Sequence, residues 1–232
     1  MSILQRHRPE TLHEIIGQSG IVRQLKYFAL DPHSIAMLYH GQTGCGKSAT
    51  ARCLAATVGV DVAHDEMGGL YSISSGHMGK PEVDEMMRLM RVRPMFGNGW
   101  KTLICNECDA QTDAAELAWL DHLDMIAEQH YPPKTLIIFT TNNIHALTDR
   151  FRDRCHAHTY AFESRASVLR PAIQAFAREI WDAECPGEEF PFGPNLGMRS
   201  LSGEASEHCS FRLALQQLDR AISERTGEPC PA

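Results

Sequence analysis

The chain has 232 residues, 43% of them hydrophobic, enough for a sizeable core as one large domain or a domain plus a small lid. Its formal charge is −7, from 22 basic and 29 acidic residues, so bulk charge excludes a polybasic nucleic-acid binder, and any such contact needs a local basic face. No apolar run approaches the roughly 20 residues of a membrane span, the N-terminus lacks a secretory apolar core, and eight scattered cysteines point to free thiols in a reducing, cytoplasmic setting.

Taken in chain order, Pro9 and Gly17 bracket a short helical piece. Residues 21–30 carry Val22, Leu25 and Phe28 at three-residue spacing, the mark of an amphipathic helix that Asp31 and Pro32 end. Residues 35–40 are a short apolar run of strand type. Gly41, Gln42, Thr43, Gly44, Cys45, Gly46, Lys47 and Ser48 then match G-x-x-x-x-G-K-[ST] in full, and residues 49–58 are rich in helix formers up to Gly59. Strand, glycine loop and helix in that order are what a phosphate-binding loop requires. The glycines let backbone N–H groups turn inward on a polyphosphate, and the new helix adds its positive end. Lys47 is then expected to reach the outer phosphates of a nucleotide, and the Ser48 hydroxyl to ligate Mg2+.

Residues 70–74 read as a strand and residues 75–80 as a polar turn; Pro81 stands in the first turn of a helix to about residue 91, with Val83, Met86, Met87 and Met90 on one face. That methionine stripe reads as core rather than a partner groove. Residues 93–100 are a loop, residues 101–109 an apolar strand ending in acids, and a helix over about 113–129 is broken by Tyr131 and the prolines after it. Cys105 and Cys108 have C-x-x-C spacing, but no second pair completes a zinc site, so structural cysteines are expected. Residues 135–143 are another strand with a polar end, 149–155 a dense basic turn, and 156–162 a last short strand. Strands alternating with helices predict a parallel α/β sheet with helices on both faces and the ligand at the carboxyl ends of the strands. From about residue 163 the character changes to two helices, 165–183 and 208–225, around a segment rich in Pro, Gly and Ser; Leu213, Gln217 and Ala221 share one side of the second. The expected division is an α/β nucleotide-binding domain over 1–162 and a small helical lid over 163–232, with a frayed tail from residue 227.

Nucleotide hydrolysis also needs Mg2+ held from a second strand, a carboxylate to orient the attacking water, and positive charge on the developing transition state. Glu107, at the end of an apolar strand, is the candidate for polarising the water; the alternative is a strand-end surface acid. Asn142 ends the next strand and is placed to hold the same water, or else is a capping Asn. Arg154 is either an arginine finger for a neighbouring subunit or a solvated surface arginine.

At this point the chain resembles an AAA+ ATPase of the clamp-loader group, the replication factor C small subunits and the bacterial DNA polymerase III gamma/tau subunit. Residues 8–18 are similar to that group's R-P-x-x-L-x-E-I-x-G-Q opening, which packs against the adenine; this implies nucleotide contacts at Arg8, Pro9, Ile16 and Gly17, joined by the phosphate loop and Ala49 after it. Residues 103–109 resemble its h-h-h-D-E-x-D Walker B strand, and Asn142 matches sensor 1. Arg154 and Cys155 match the end of its Ser-Arg-Cys motif, with Cys155 thirteen residues beyond Asn142. Ser210, Phe211 and Arg212 resemble the sensor 2 helix, which implies that Arg212 reaches the γ-phosphate from the lid. The resemblance covers roughly residues 3–225.

Three departures stand out. Asn106 replaces the Mg2+-linked Asp, so Ser48 and Asn106 are the expected metal contacts, partly through water, with an amide carbonyl that is a weaker partner than a carboxylate. Asp153 replaces the Ser of Ser-Arg-Cys and is expected to pair with Arg154. Neither the C-terminal helical collar of clamp loaders nor the zinc-binding cysteine cluster of the gamma/tau proteins is expected within these 232 residues. The leading expectation is an ATP-dependent switch in DNA metabolism, assembled as a homo- or hetero-oligomer around DNA, with a sliding clamp or another protein as partner. Lys80, Arg88, Arg91 and Arg93 are the candidate DNA face, or equally a solvated helix face. The alternative is a regulatory or adaptor ATPase that hydrolyses little and assembles with a protein partner, as in a phage, transposon or defence complex. A small-molecule kinase is disfavoured by the sensor and finger spacing.

Overall fold

In a computed structural model, residues 3–76, 78–128, 133–201 and 204–226 are described. Five apolar segments form one parallel sheet: β1 (Ile35–His40), β2 (Leu70–Ser74), β3 (Lys101–Asn106), β4 (Thr135–Thr141) and β5 (Thr159–Ala161), in the order β2-β3-β4-β1-β5. β4 is buried at every position and β1 and β3 at all but the last, as continuous apolar strands covered on both faces must be. β2 alternates because it is an edge strand. Register aligns the ends that matter: His40 lies opposite Thr141, and Cys105, one residue before the end of β3, opposite Phe139.

The helices are α1 (Ile3–Arg6), α2 (Ser19–Phe28), α3 (Lys47–Val58), α4 (Asp65–Gly68), α5 (Lys80–Leu89), α6 (Asp113–Ala127), α7 (Asp149–Cys155), α8 (Ala166–Glu184) and α9 (Phe211–Thr226). One face of the sheet packs against α5, α6 and α7, where Trp119, Phe139 and Phe151 meet edge to face at centroid distances of 5.1 and 4.9 Å. Val83, Met87 and Met90 are buried there, so the methionine stripe is core. The other face packs against α2 and α3 through Leu25, Leu54, Tyr39 and Ile138. Because the strand order reverses between β4 and β1, a crevice opens at their carboxyl ends, where such folds bind ligands.

Two sequence expectations are corrected. Residues 149–155 form the helix α7, not a turn; Thr148 caps it, its hydroxyl accepting from Phe151 N at 3.3 Å, and the apolar pair Phe151 and Cys155 buries one side. The charges between them masked a helical spacing of four. The lid is not wholly helical: β6 (Met198–Leu201) and β7 (Glu204–Cys209) form an antiparallel hairpin, and α9 begins at Phe211 rather than 208. Backbone pairing decides this, since Cys209 N donates to Ser164 O at 2.8 Å and Arg165 bridges His208, which ties the hairpin to the segment leaving the sheet. In α9 the buried face is Ala214, Leu218 and Ile222, one residue on from Leu213, Gln217 and Ala221. The first helix packs with this lid: Ile3 is fully buried in its core and its N–H donates to Asp219, while Arg6 and His7 both reach Glu184. Gln129, Tyr131, Pro132 and the tail from residue 227 lie outside the described residues.

Candidate functional site: a phosphate loop with a lid on it

Residues 41–46 leave β1 and turn by way of Gly41, Gly44 and Gly46, all at positive φ, into α3. Gly44 admits no side chain: a Cβ there would collide with Ser210 Oγ at the head of α9. Phe211 N donates to Gly44 O at 3.0 Å, so two helix N-termini, those of α3 and α9, meet at this loop. Both present positive ends, as an anion site requires.

Lys47 is buried, 7% exposed, and its ammonium donates to Gly41 O at 2.6 Å, Gln42 O at 3.0 Å and Asn142 Oδ1 at 2.9 Å. Burial lowers its pKa from the ordinary lysine value; nearby Cys45 and Asp109 oppose that shift and Arg212 adds to it. Ser48 Oγ donates to Asn106 Oδ1 at 2.7 Å, and Thr140 Oγ1 to the same oxygen at 3.3 Å. Three uncharged oxygens therefore converge between α3, β3 and β4. Such hard oxygen donors suit Mg2+ if phosphate oxygens supply the charge. Asp109 accepts from Thr141 Oγ1 at 2.9 Å and braces the end of β4.

Glu107 is exposed at the top of β3, held at φ 57 where the chain turns into a 3-10 helix over Cys108–Ala110. A left-handed, non-glycine residue at a strand end is a strained conformation that aims the side chain out of the sheet. Asn142 is exposed and bonded to Lys47. Arg212, in the first turn of α9, is exposed, and its Cβ lies beside Gly44. Gly17, at φ 76, packs where a Cβ would strike Leu169 of α8, with Phe211 beyond it, and Ile16 beside it is half-buried. Thr43 and Ala49 are half-buried and Gln42 is exposed. Arg8 and Pro9 sit against α3 rather than the loop itself: the Cys53 thiol donates to Pro9 O at 3.3 Å, and Arg8 lies near Arg52 and Asp65.

Arg154 is not brought to this cluster. It stands on the last turn of α7, where Nε and Nη2 donate to both oxygens of Asp124 on α6 at 2.7 Å each, and Nη1 donates to Arg150 O. The expected pairing with Asp153 is thus corrected: hydrogen bonding to Asp124 is what raises the Arg154 pKa most, and Asp153 contributes only at a distance. A cavity of about 380 Å³ lies on this same side, between α6 and the start of α7, and shares no residue with the loop. Among the described residues, Cys105 and Cys108 are free and buried and no cluster of metal-ligating side chains occurs. Burial pushes the Cys105 thiol pKa well up, which keeps it inert.

Sequence reasoning missed Gln18 as a site residue. It is 4% exposed, and its amide donates to Cys45 O at 3.3 Å and Glu163 O at 2.8 Å while accepting from Glu163 N at 3.0 Å. It joins the loop to the segment that leads into the lid. Its place at the end of the Gly-Gln opening was the available signal.

A parallel sheet with reversed order, a glycine loop after the central strand, and polar groups at the ends of β3 and β4 define a P-loop nucleoside triphosphatase fold. The ATPase family associated with various cellular activities (AAA) matches residues 37–162, more than half of the chain, and the chain belongs to that family. It is 29% identical over 159 residues to replication factor C subunit 3 of Blastobotrys adeninivorans, covering 66% of this chain and 43% of that protein. It is 26% identical over 177 residues to the replication factor C small subunit of Archaeoglobus fulgidus, covering 76% and 53%. The chain thus spans about half the length of the curated relatives it matches. The Holliday junction branch migration motor RuvB of Thermotoga maritima has the same fold, with TM-score 0.56 and 17% identity over 76% of this chain and 55% of that one. So has a DNA polymerase III gamma subunit-related protein of the same organism, with TM-score 0.51 and 15% identity over 69% and 51%. Among the described residues no helix is long and apolar enough to cross a membrane.

Proposed function

We propose that the protein is an AAA+ switch of DNA metabolism that binds ATP with Mg2+ and hydrolyses it within an assembly of like subunits around DNA, in the manner of a clamp-loader subunit. The observation that carries this reading is the two hydrogen-bonded pairs Lys47–Asn142 and Ser48–Asn106, which join α3 to the end of β3 and to the residue after β4, with Arg212 of the lid beside the same loop. In this reading the loop N–H groups and Lys47 bind the phosphates and Arg212 approaches the outermost. Ser48 and Asn106 hold Mg2+, whose chemistry is to neutralise charge on the phosphate oxygens. Glu107 orients the attacking water with Asn142, and the adenine lies between residues 8–17 and the lid. The seven free, buried cysteines among the described residues suit a reducing, cytoplasmic setting.

Lys80, Arg88, Arg91 and Arg93 are all exposed along α5 and the loop after it, which supports a DNA face. Arg88 is bound to Glu85 by two hydrogen bonds of 2.9 and 2.7 Å, so part of that charge is already spent within the helix. A second reading, a regulatory or adaptor ATPase with weak turnover that assembles with a protein partner in a phage, transposon or defence complex, is favoured by Asn106, an uncharged amide beside Ser48. Steady-state phosphate release with and without primed DNA separates the two. Stimulation by DNA supports the first; tight ATP binding with turnover that DNA does not change supports the second.

A further inference from the structure

The amide of Asn106 has two ends that are not equivalent. Oδ1 accepts from Ser48 Oγ at 2.7 Å and Thr140 Oγ1 at 3.3 Å, while Nδ2 donates to Ser72 Oγ at 3.2 Å and to the Ile73 carbonyl at 3.4 Å. Turned over, the group would occupy the same volume with opposite polarity. Its oxygen would face the Ile73 carbonyl, which can only accept, and its two N–H donors would face Ser48. Toward a cation that second arrangement is repulsive, and the first supplies a carbonyl oxygen. A carboxylate has no such wrong end. The replacement of Asp by Asn therefore creates a need for orientation that a carboxylate never has.

Strand β2 meets that need. It pairs in parallel with β3, with Ser74 opposite Asn106 and Ser72 opposite Ile104, so Ser72 lies on the same face of the sheet as Asn106, one pleat back. Because the Ile73 carbonyl forbids the reversed amide, Ser72 Oγ is the acceptor left for the second N–H, and its own hydrogen is free to point to water. With no charge among Ser48, Asn106 and Thr140, the direction of this carbonyl dipole decides whether the Asn106 side chain attracts or repels a cation.

Resting on the reading of the crevice as a Mg2+–ATP site, we propose that Ser72 is a positioning residue that, with the Ile73 carbonyl, holds Nδ2 of Asn106 so that Oδ1 faces Ser48 as an uncharged oxygen for a divalent cation arriving with the nucleotide phosphates. The test is a Mn2+ titration followed by electron paramagnetic resonance on the full chain with a non-hydrolysable ATP analogue, beside calorimetric affinity for the analogue in EDTA. Ser72→Ala weakens Mn2+ binding to the nucleotide complex about tenfold, the lower end of what orienting partners contribute. Affinity in EDTA stays at wild type, and Ser72→Thr, which keeps the hydroxyl, restores Mn2+ binding. Asn106→Asp binds Mn2+ more tightly than wild type, and in that background Ser72→Ala has no effect. Should Ser72→Ala not fold, Ser72→Cys, nearly isosteric but a poor acceptor, gives the same comparison. Wild-type Mn2+ affinity in Ser72→Ala, or an equal loss in both backgrounds, overturns the proposal and leaves the nucleotide site standing. A wild-type chain that binds the analogue neither with Mn2+ nor in EDTA overturns the site and the proposal together.

Discussion

The crevice side of the molecule and the α6–α7 side carry the two halves of the proposed chemistry and are built differently. On the crevice side, Lys47 and Ser48 of α3 are hydrogen-bonded to Asn142, just after β4, at 2.9 Å and to Asn106, at the end of β3, at 2.7 Å. Strand register sets those distances, because parallel pairing fixes where the ends of β1, β3 and β4 fall. On the α6–α7 side, Arg154 is partly exposed and tied to Asp124, an exposed acid on the next helix. An ion pair of that kind contributes under about 1 kcal/mol and yields readily to a better partner. In the proposed reading the chain completes its phosphate site by itself and leaves its candidate finger on the outside, where another subunit would meet it.

The largest effect expected from breaking this comparison is at Lys47. Lys47→Ala removes a buried charge and the bonds it donates, and ATP affinity is expected to fall at least about 100-fold, since charge-assisted hydrogen bonds to phosphate are the strong ones. Calorimetry measures this; wild-type affinity would mean that the crevice side is not the nucleotide site.

Arg154 sharpens the contrast through rate rather than binding. Arg154→Ala is expected to leave ATP affinity of the isolated chain unchanged and to lower turnover roughly 10³-fold or more, the scale of a finger supplied in trans. Mixing Arg154→Ala with Lys47→Ala chains should recover some activity, because one interface then pairs an intact loop with an intact finger. Asp124→Ala frees Arg154 and is expected to change turnover by no more than a few-fold. If Asp124→Ala instead abolishes turnover as Arg154→Ala does, Arg154 is a structural partner of α6 and the difference between the two sides disappears.

The smallest effect is at the joint between core and lid. Glu163 accepts from Ser164 N, Arg165 N and the Arg165 guanidinium, and those bonds, the guanidinium's first, hold its pKa at about 2. A carboxylate depressed in the folded state adds stability above its ordinary value near 4.5 and loses it as pH falls toward 2. The gap in Tm between wild type and Glu163→Gln should therefore be present at neutral pH and close between pH 4.5 and 2. A gap that does not vary with pH would assign the joint to Gln18 and the hairpin alone.

The sequence by itself determined the sheet and the loop. Residues 35–40 and 70–74 are strands as read, and the strand read over 101–109 holds to Asn106, because apolar runs bounded by glycine and polar turns state their structure locally, and a phosphate loop is defined by neighbours in the chain. The helix in residues 149–155 was hidden because charge dominates its composition, and only burial of Phe151 and Cys155 reveals its period. Tertiary structure alone decided the rest. The hairpin of the lid exists because β7 meets Ser164, Ile3 belongs to the lid core because α1 folds back on α9, and Arg154 pairs with Asp124 thirty positions away rather than with its neighbour. Ser72 is an exposed serine on an edge strand and carries no mark in the sequence; what it does depends on which way the amide of Asn106 points. Local pattern specifies elements whose partners are near in sequence, whereas hydrogen-bond polarity between distant side chains is decided only when the strands that carry them are brought into register.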